Sequence, residues 1–190
     1  MQACEVRAID GNVVGVISNN ADAFGLERAK NFNIPSKVIN HNDYDSRESF
    51  DAELVTSINK FEPNLVVLAG FMRILSPVMT SAFQDMIINI HPSLLPKYPG
   101  LDTHEQVIAN KDTHHGVTVH SVSEELDAGP IVAQARISVN VDQKLDELVE
   151  RIHKAEHLLF PKVISMIASG ELNLKKTGLG QEVISENYEI

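Results

Sequence analysis

The chain has 190 residues, 43% of them hydrophobic and 22% charged, which suits one folded domain with its own core, residues 1–190. Its formal charge is −10 and it has no Trp, so a general electrostatic hold on nucleic acid is excluded: that affinity comes from Lys and Arg displacing counterions. No apolar run is long enough to cross a bilayer, Met1–Asp10 has no apolar stretch of the secretory kind, and the single Cys4 leaves no internal disulfide, so a cytoplasmic protein is expected.

Asn12–Ser18 is a short apolar run that predicts a strand, stopped by Asn19 and Asn20. Ala21–Phe32 predicts a helix ended by Pro35, and Ser36–Ile39 a second short strand. Ser46–Phe61 has the clearest helical period: Phe50, Leu54, Ile58 and Phe61 recur at spacings of four and three, and Ser46 can cap it. Asn64–Ala69 is unbroken apolar, as in a parallel strand covered on both faces. Ser76 and Pro77 start another helix, and Met86–Ile90 is a further strand that Pro92 ends. This alternation is the α/β pattern. Gly116–Val122 and Ile131–Val139 then predict two strands joined by a turn over Glu124–Pro130. Leu145–Ala168 predicts a long helix, bent or divided at Pro161, and the last twenty residues predict irregular structure or a short hairpin.

Asn89 and His91 are two apart on a predicted strand, so they share a face, while Ile88 and Ile90 point the other way. Pro92 places them at the strand's carboxyl end, where open α/β sheets hold ligands. A carboxamide beside an imidazole can steady an oxyanion or move a proton near neutral pH; it can equally close a strand end with hydrogen bonds. His120 lies on a strand beside Thr118, and Asp127 follows in a turn, where it either holds an imidazolium or merely caps the turn. His114 and His115 read as a solvated loop pair. His153-Lys154-Ala155-Glu156-His157 has the H-x-x-E-H form of a zinc-protease helix, but that reading needs a further ligand from Glu171, Glu182, Glu186 or Glu189.

The segments AGFMRILSP (Ala69–Pro77), NIHPSLLPKYPG (Asn89–Gly100) and HGVTVHSVSEELDAGPI (His115–Ile131) resemble the glycinamide ribonucleotide formyltransferase family. ADAFGLERA (Ala21–Ala29) and AEH (Ala155–His157) fall in the same order. The resemblance implies a Rossmann-like α/β fold, a mostly parallel central sheet flanked by helices. It implies formyl transfer from 10-formyltetrahydrofolate to the amine of phosphoribosylglycinamide, without metal, in de novo purine (IMP) biosynthesis. The catalytic trio maps onto Asn89, His91 and Asp127. Folate binding maps onto Arg47, Met72, Arg73, Ile74, Leu75, Asn89 and the loop Ser123, Glu124, Glu125, Leu126 and Asp127. The second substrate maps onto Glu156, with Pro92 and His153. Partners are then small molecules, with neither nucleic acid nor membrane, for a monomer or homodimer. Methionyl-tRNA formyltransferases and formyltetrahydrofolate hydrolases share the trio, and a folate-binding protein without transfer is a third reading.

Members of this family open with an apolar strand and a Gly-x-Gly-Ser-Asn type of loop that holds phosphate at a helix start. Met1-Gln2-Ala3-Cys4 instead resembles the middle of that helix. The expectation is a sheet lacking its first strand, with unpaired backbone beside the gap, poor folding and weak hold on the substrate phosphate. Ser121 also stands where relatives usually carry a bulkier apolar residue.

Overall fold

The computed structural model describes residues 1–140, 142–176 and 184–189. In chain order come α1 (Gln2–Glu5), β1 (Val16–Ser18), α2 (Phe24–Asn31), β2 (Ser36–Val38), α3 (Arg47–Asn59), β3 (Val66–Leu68) and α4 (Pro77–Ala82). They are followed by β4 (Ile87–His91), α5 (Thr103–Ala109), β5 (His114–Ser121), β6 (Ile131–Ser138), α6 (Leu145–Ala168) and β7 (Ile184–Asn187). The predicted elements recur, most with shorter ends; α6 keeps its predicted bounds, β4 is shifted to include His91, and β5 starts earlier than predicted. The added α5 is only seven residues long, too short to announce itself by periodicity.

Local chemistry sets the helix starts. Ser46 caps α3 by accepting from the Ser49 N–H at 3.1 Å, while Ser49 Oγ accepts from the Ser46 N–H at 3.2 Å. Pro77 occupies the first turn of α4, where its missing N–H costs nothing. The two helices are tied by buried Asp51, which accepts from the Ser76 N–H at 2.6 Å. Helix α6 runs unbroken through Pro161, so that residue does not divide it.

Five strands pair in the order β3-β4-β5-β6-β7, and β1 pairs with β2 separately. Pairs β1–β2, β3–β4 and β6–β7 are parallel, whereas β4–β5 and β5–β6 are antiparallel, so three of the five described pairings are parallel. Two expectations are corrected. Strand β3 is not covered on both faces: Val66 and Leu68 pack against one core, while Val67 is 40% exposed. The chain end is not a hairpin, because Ile184–Asn187 joins β6 in parallel; residues 177–183 of that prediction lie outside the described residues.

The sheet separates two apolar cores. On one face Leu148, Ile152, Ala155, Leu159 and Val163, a single stripe of α6, meet Ile88, Val117, Val119 and Ala135. On the other, Phe50 and Leu54 of α3 and Met79 of α4 gather around Leu75, Phe83 and Ile87, with Leu68 and Val122 at the margin. Strand β4 feeds both cores alternately, and its last polar side chains emerge beyond the second one.

Candidate active site

Alternation along β4 sends Ile88 and Ile90 toward α6 and leaves Asn89 and His91 on the opposite face, as the spacing predicts. The strand stops at His91, directly before Pro92. Antiparallel register sets Asn89 beside His120 and His91 beside Thr118 of β5. The chain after Pro92 is then pinned down by hydrogen bonds. Thr118 Oγ1 donates to the Ser93 carbonyl at 2.7 Å and accepts from the Leu95 N–H at 3.0 Å, and Ser93 Oγ donates to the Lys97 carbonyl at 2.6 Å. These bonds bring the Tyr98 carbonyl to 2.8 Å from His91 Nε2. A carbonyl only accepts, so this nitrogen carries a hydrogen.

The other ring nitrogen, His91 Nδ1, faces Asp127 Oδ2 at 3.4 Å. Asp127 sits in the turn after β5 with φ +51, and its loop folds tightly onto the strand end: a Cβ at Gly129 would overlap the Ser121 carbonyl. Oδ2 also accepts the Gly100 N–H at 2.8 Å, and Oδ1 lies 3.6 Å from His120 Nε2. The three side chains are nearly enclosed: His91 6%, His120 3% and Asp127 10% exposed. Burial alone would raise the Asp127 carboxyl; hydrogen bonding to it, the Gly100 N–H included, and the charge of His91 outweigh it and hold the group below its ordinary value. An anionic carboxylate therefore stands against an imidazole whose second proton it can hold.

Around this trio the other sequence candidates fall into two groups. Register places Leu68 opposite Asn89, so Ala69–Leu75 leaves β3 beside the end of β4. In that segment Met72 is 74% and Ile74 45% exposed, and in the loop before Asp127 Leu126 is 49% exposed, apolar side chains free to meet a ligand. Leu75 instead packs into the core, and the Arg73 guanidinium stacks over the Phe50 ring at 5.5 Å. Arg47 lies one turn before Phe50 on α3, exposed, with Glu48 Oε1 at 3.7 Å. In the loop, Ser123 Oγ donates to the Glu125 carbonyl at 3.2 Å, and Glu124 and Glu125 are exposed.

The second group lies toward α6. Thr103 Oγ1 donates to the Pro92 carbonyl at 2.8 Å, fixing α5 to the strand end. Burial, above all, holds down the imidazole of His104 on α5, which also feels the charges of His153 and His91. Glu156 is pushed up by burial, with His153 and His157 pulling the other way. Among the described residues no three His, Cys, Asp or Glu side chains gather closely enough to hold a metal ion.

The reading of His114 and His115 as a solvated pair is corrected. Strand β5 begins two residues before its predicted start, and alternation buries His115 to 1% exposure while His114 faces out beside Arg136 at 2.7 Å. His115 Nε2 meets His104 Nδ1 at 2.9 Å. The sequence also gave no site role to His120, the Tyr98 carbonyl or the Gly100 N–H. For His120 a signal existed, a polar residue alternating with Thr118 on an otherwise apolar strand.

The family model described as formyl transferase matches residues 1–164. The chain belongs to the formyl transferase family. It is 44% identical over 191 residues to the phosphoribosylglycinamide formyltransferase of Escherichia coli (strain K12), covering 99% of this chain and 90% of that protein. It is also 44% identical over 164 residues to the trifunctional purine biosynthetic protein adenosine-3 of Drosophila melanogaster, covering 86% of this chain but only 12% of that much longer protein. Among solved structures, the phosphoribosylglycinamide formyltransferase of Coxiella burnetii superposes with a TM-score of 0.86 at 44% identity, over 90% of this chain and 81% of that one. That of Bacillus halodurans gives 0.86 at 35% identity, over 91% and 89%. The expected Rossmann-like formyltransferase fold is thus the fold of this family member, with the Asn89, His91 and Asp127 cluster at the carboxyl end of its parallel strands.

Proposed function

We propose that this formyl transferase family member moves the formyl group of 10-formyltetrahydrofolate onto the primary amine of phosphoribosylglycinamide, as a step of IMP biosynthesis. It works in the cytoplasm as a single formyltransferase domain, monomeric or homodimeric, on small molecules and without a metal. The observation that carries this reading is the convergence of Asn89, His91 and Asp127 at one sheet end, with the His91 Nδ1–Asp127 Oδ2 approach of 3.4 Å.

In this reading the amine attacks the formyl carbon, a C–N bond forms, and the carbonyl oxygen gains negative charge. Asn89 donates an N–H to that oxygen, and His91, oriented between the Tyr98 carbonyl and Asp127, steadies the charge as it develops. The bond from carbon to the folate nitrogen then breaks. The proton lost by the amine is handed to that nitrogen, Asp127 positioning the water that carries it. Met72, Ile74 and Leu126 supply an apolar slot for the pterin ring, with the backbone of Arg73, Leu75 and Ser123–Asp127 at its edge. Arg47 meets the folate's glutamate carboxylate, and Glu156, with His153 and Pro92, meets the ribose and amine end of the other substrate.

Formyl transfer between the two named substrates tests the reading. Asn89→Ala is expected to lower kcat about 100- to 1,000-fold, the usual loss of one oxyanion donor, with the fold intact by circular dichroism. A wild-type protein that binds the folate without transferring its formyl group, or an Asn89→Ala protein of undiminished kcat, refutes it.

A further inference from the structure

The penultimate residue of strand β5, His120, is an imidazole that the reaction scheme above leaves unused. His120 is 2% exposed, and the β5–β6 pairing shifts between Val119 and His120, the kind of irregularity that re-aims a side chain. Its Nδ1 lies 2.9 Å from the carbonyl of Ser121. That oxygen only accepts, so Nδ1 bears the hydrogen, and in the neutral ring Nε2 presents a lone pair. The hydrogen-bond partner within reach of Nε2 is Asn89 Nδ2 at 3.2 Å; Asp127 Oδ1, at 3.6 Å, stands beyond that reach. The carboxylate has no hydrogen to offer. The carboxamide does.

A carboxamide has a donor end and an acceptor end of nearly the same shape, and only its partners decide which end faces which way. Resting on the reading of Asn89 as an oxyanion donor, we infer that His120 is the positioning residue that sets the direction of the Asn89 carboxamide. By accepting one Nδ2 hydrogen, His120 holds the amino end toward Asp127 and His91 and leaves the second hydrogen free for the developing oxygen. A reversed amide would aim a carbonyl at His120 Nε2, lone pair against lone pair, and would withdraw the donor from the reacting side. The Ser121 carbonyl thus acts through the ring: it fixes the tautomer, the tautomer fixes the amide, and the amide meets the substrate.

Two measurements test this separately. Nitrogen-15 NMR of the ligand-free protein, at the pH where it is active, should find His120 with Nδ1 protonated and Nε2 bare. An Nε2–H tautomer or a doubly protonated ring overturns the proposal whatever Asn89 does. In formyl transfer from 10-formyltetrahydrofolate to phosphoribosylglycinamide, His120→Phe should lower kcat about 10- to 100-fold, as a mis-set catalytic group does, with KM for either substrate nearly unchanged. In an Asn89→Ala background the same substitution should cost little more, because the group it orients is gone. Equal losses in both backgrounds mean a merely structural role and overturn it. His120→Gln, whose carbonyl oxygen can stand in for Nε2, should regain most of the kcat, and a Gln variant no better than Phe counts against the proposal. If Asn89→Ala itself leaves kcat untouched, the fault lies in the site reading, and the ring-nitrogen result stands apart from it.

Discussion

Replacing His115 with Gln should flatten the dependence of stability on pH, by an amount that follows from the structure. His115 is 1% exposed, and burial, reinforced by the neighbouring His104, holds its imidazole down at about 3. In the unfolded chain the same group titrates near its ordinary value of about 6.5. Between these limits the unfolded state binds a proton here that the folded state refuses. Stability is therefore complete above about pH 6.5 and drains away as pH falls toward about 3. One proton corresponds to about 1.4 kcal/mol per pH unit, so the fall from pH 6.5 to 4 amounts to roughly 3 kcal/mol. Urea unfolding followed by circular dichroism at half-unit steps from pH 4 to 7.5 measures it. The His115→Gln protein should lose stability less steeply than wild type by about that slope, whatever their offset at pH 7.5, since His104 and the carboxylates titrate in both. Parallel curves would refute a buried, neutral His115 and return it to solvent.

Asp127→Asn keeps the shape of the side chain but removes its charge from 3.4 Å beside His91 Nδ1. An ion pair near 4 Å is worth up to about 4 kcal/mol at an effective dielectric of 20, so kcat should fall about 100- to 1,000-fold with KM little changed; steady-state kinetics showing less than a roughly 5-fold drop in kcat would remove Asp127 from the reaction. Arg47→Ala should raise KM for the folate about 5- to 20-fold and leave kcat within about 2-fold, because an exposed guanidinium on a carboxylate contributes uniform binding of about 1–2 kcal/mol. Unchanged folate KM would place the glutamate tail elsewhere.

The pattern of apolar runs made much of the first half of the fold legible, because α3 is long enough to show its own period and the short strands are apolar runs closed by a Pro or an Asn pair. It failed where pairing rather than composition decides. Asn64–Ala69 looks like a strand enclosed on both sides, yet Val67 is 40% exposed, since enclosure depends on neighbours that no local window contains. Ile184–Asn187 joins β6 from about fifty residues along the chain, a placement fixed by the free edge of β6.

At the site, spacing alone determined that Asn89 and His91 share a face and that Pro92 ends their strand, because side-chain alternation and proline sterics are local rules. Family motifs added Asp127. Only the tertiary structure decided which groups touch: antiparallel register set His120 beside Asn89, a tight loop carried Asp127 Oδ2 to 3.4 Å from His91 Nδ1, and the early start of β5 buried His115. Register, loop closure and burial each depend on residues far apart in sequence, and those relations exist only once the chain has folded.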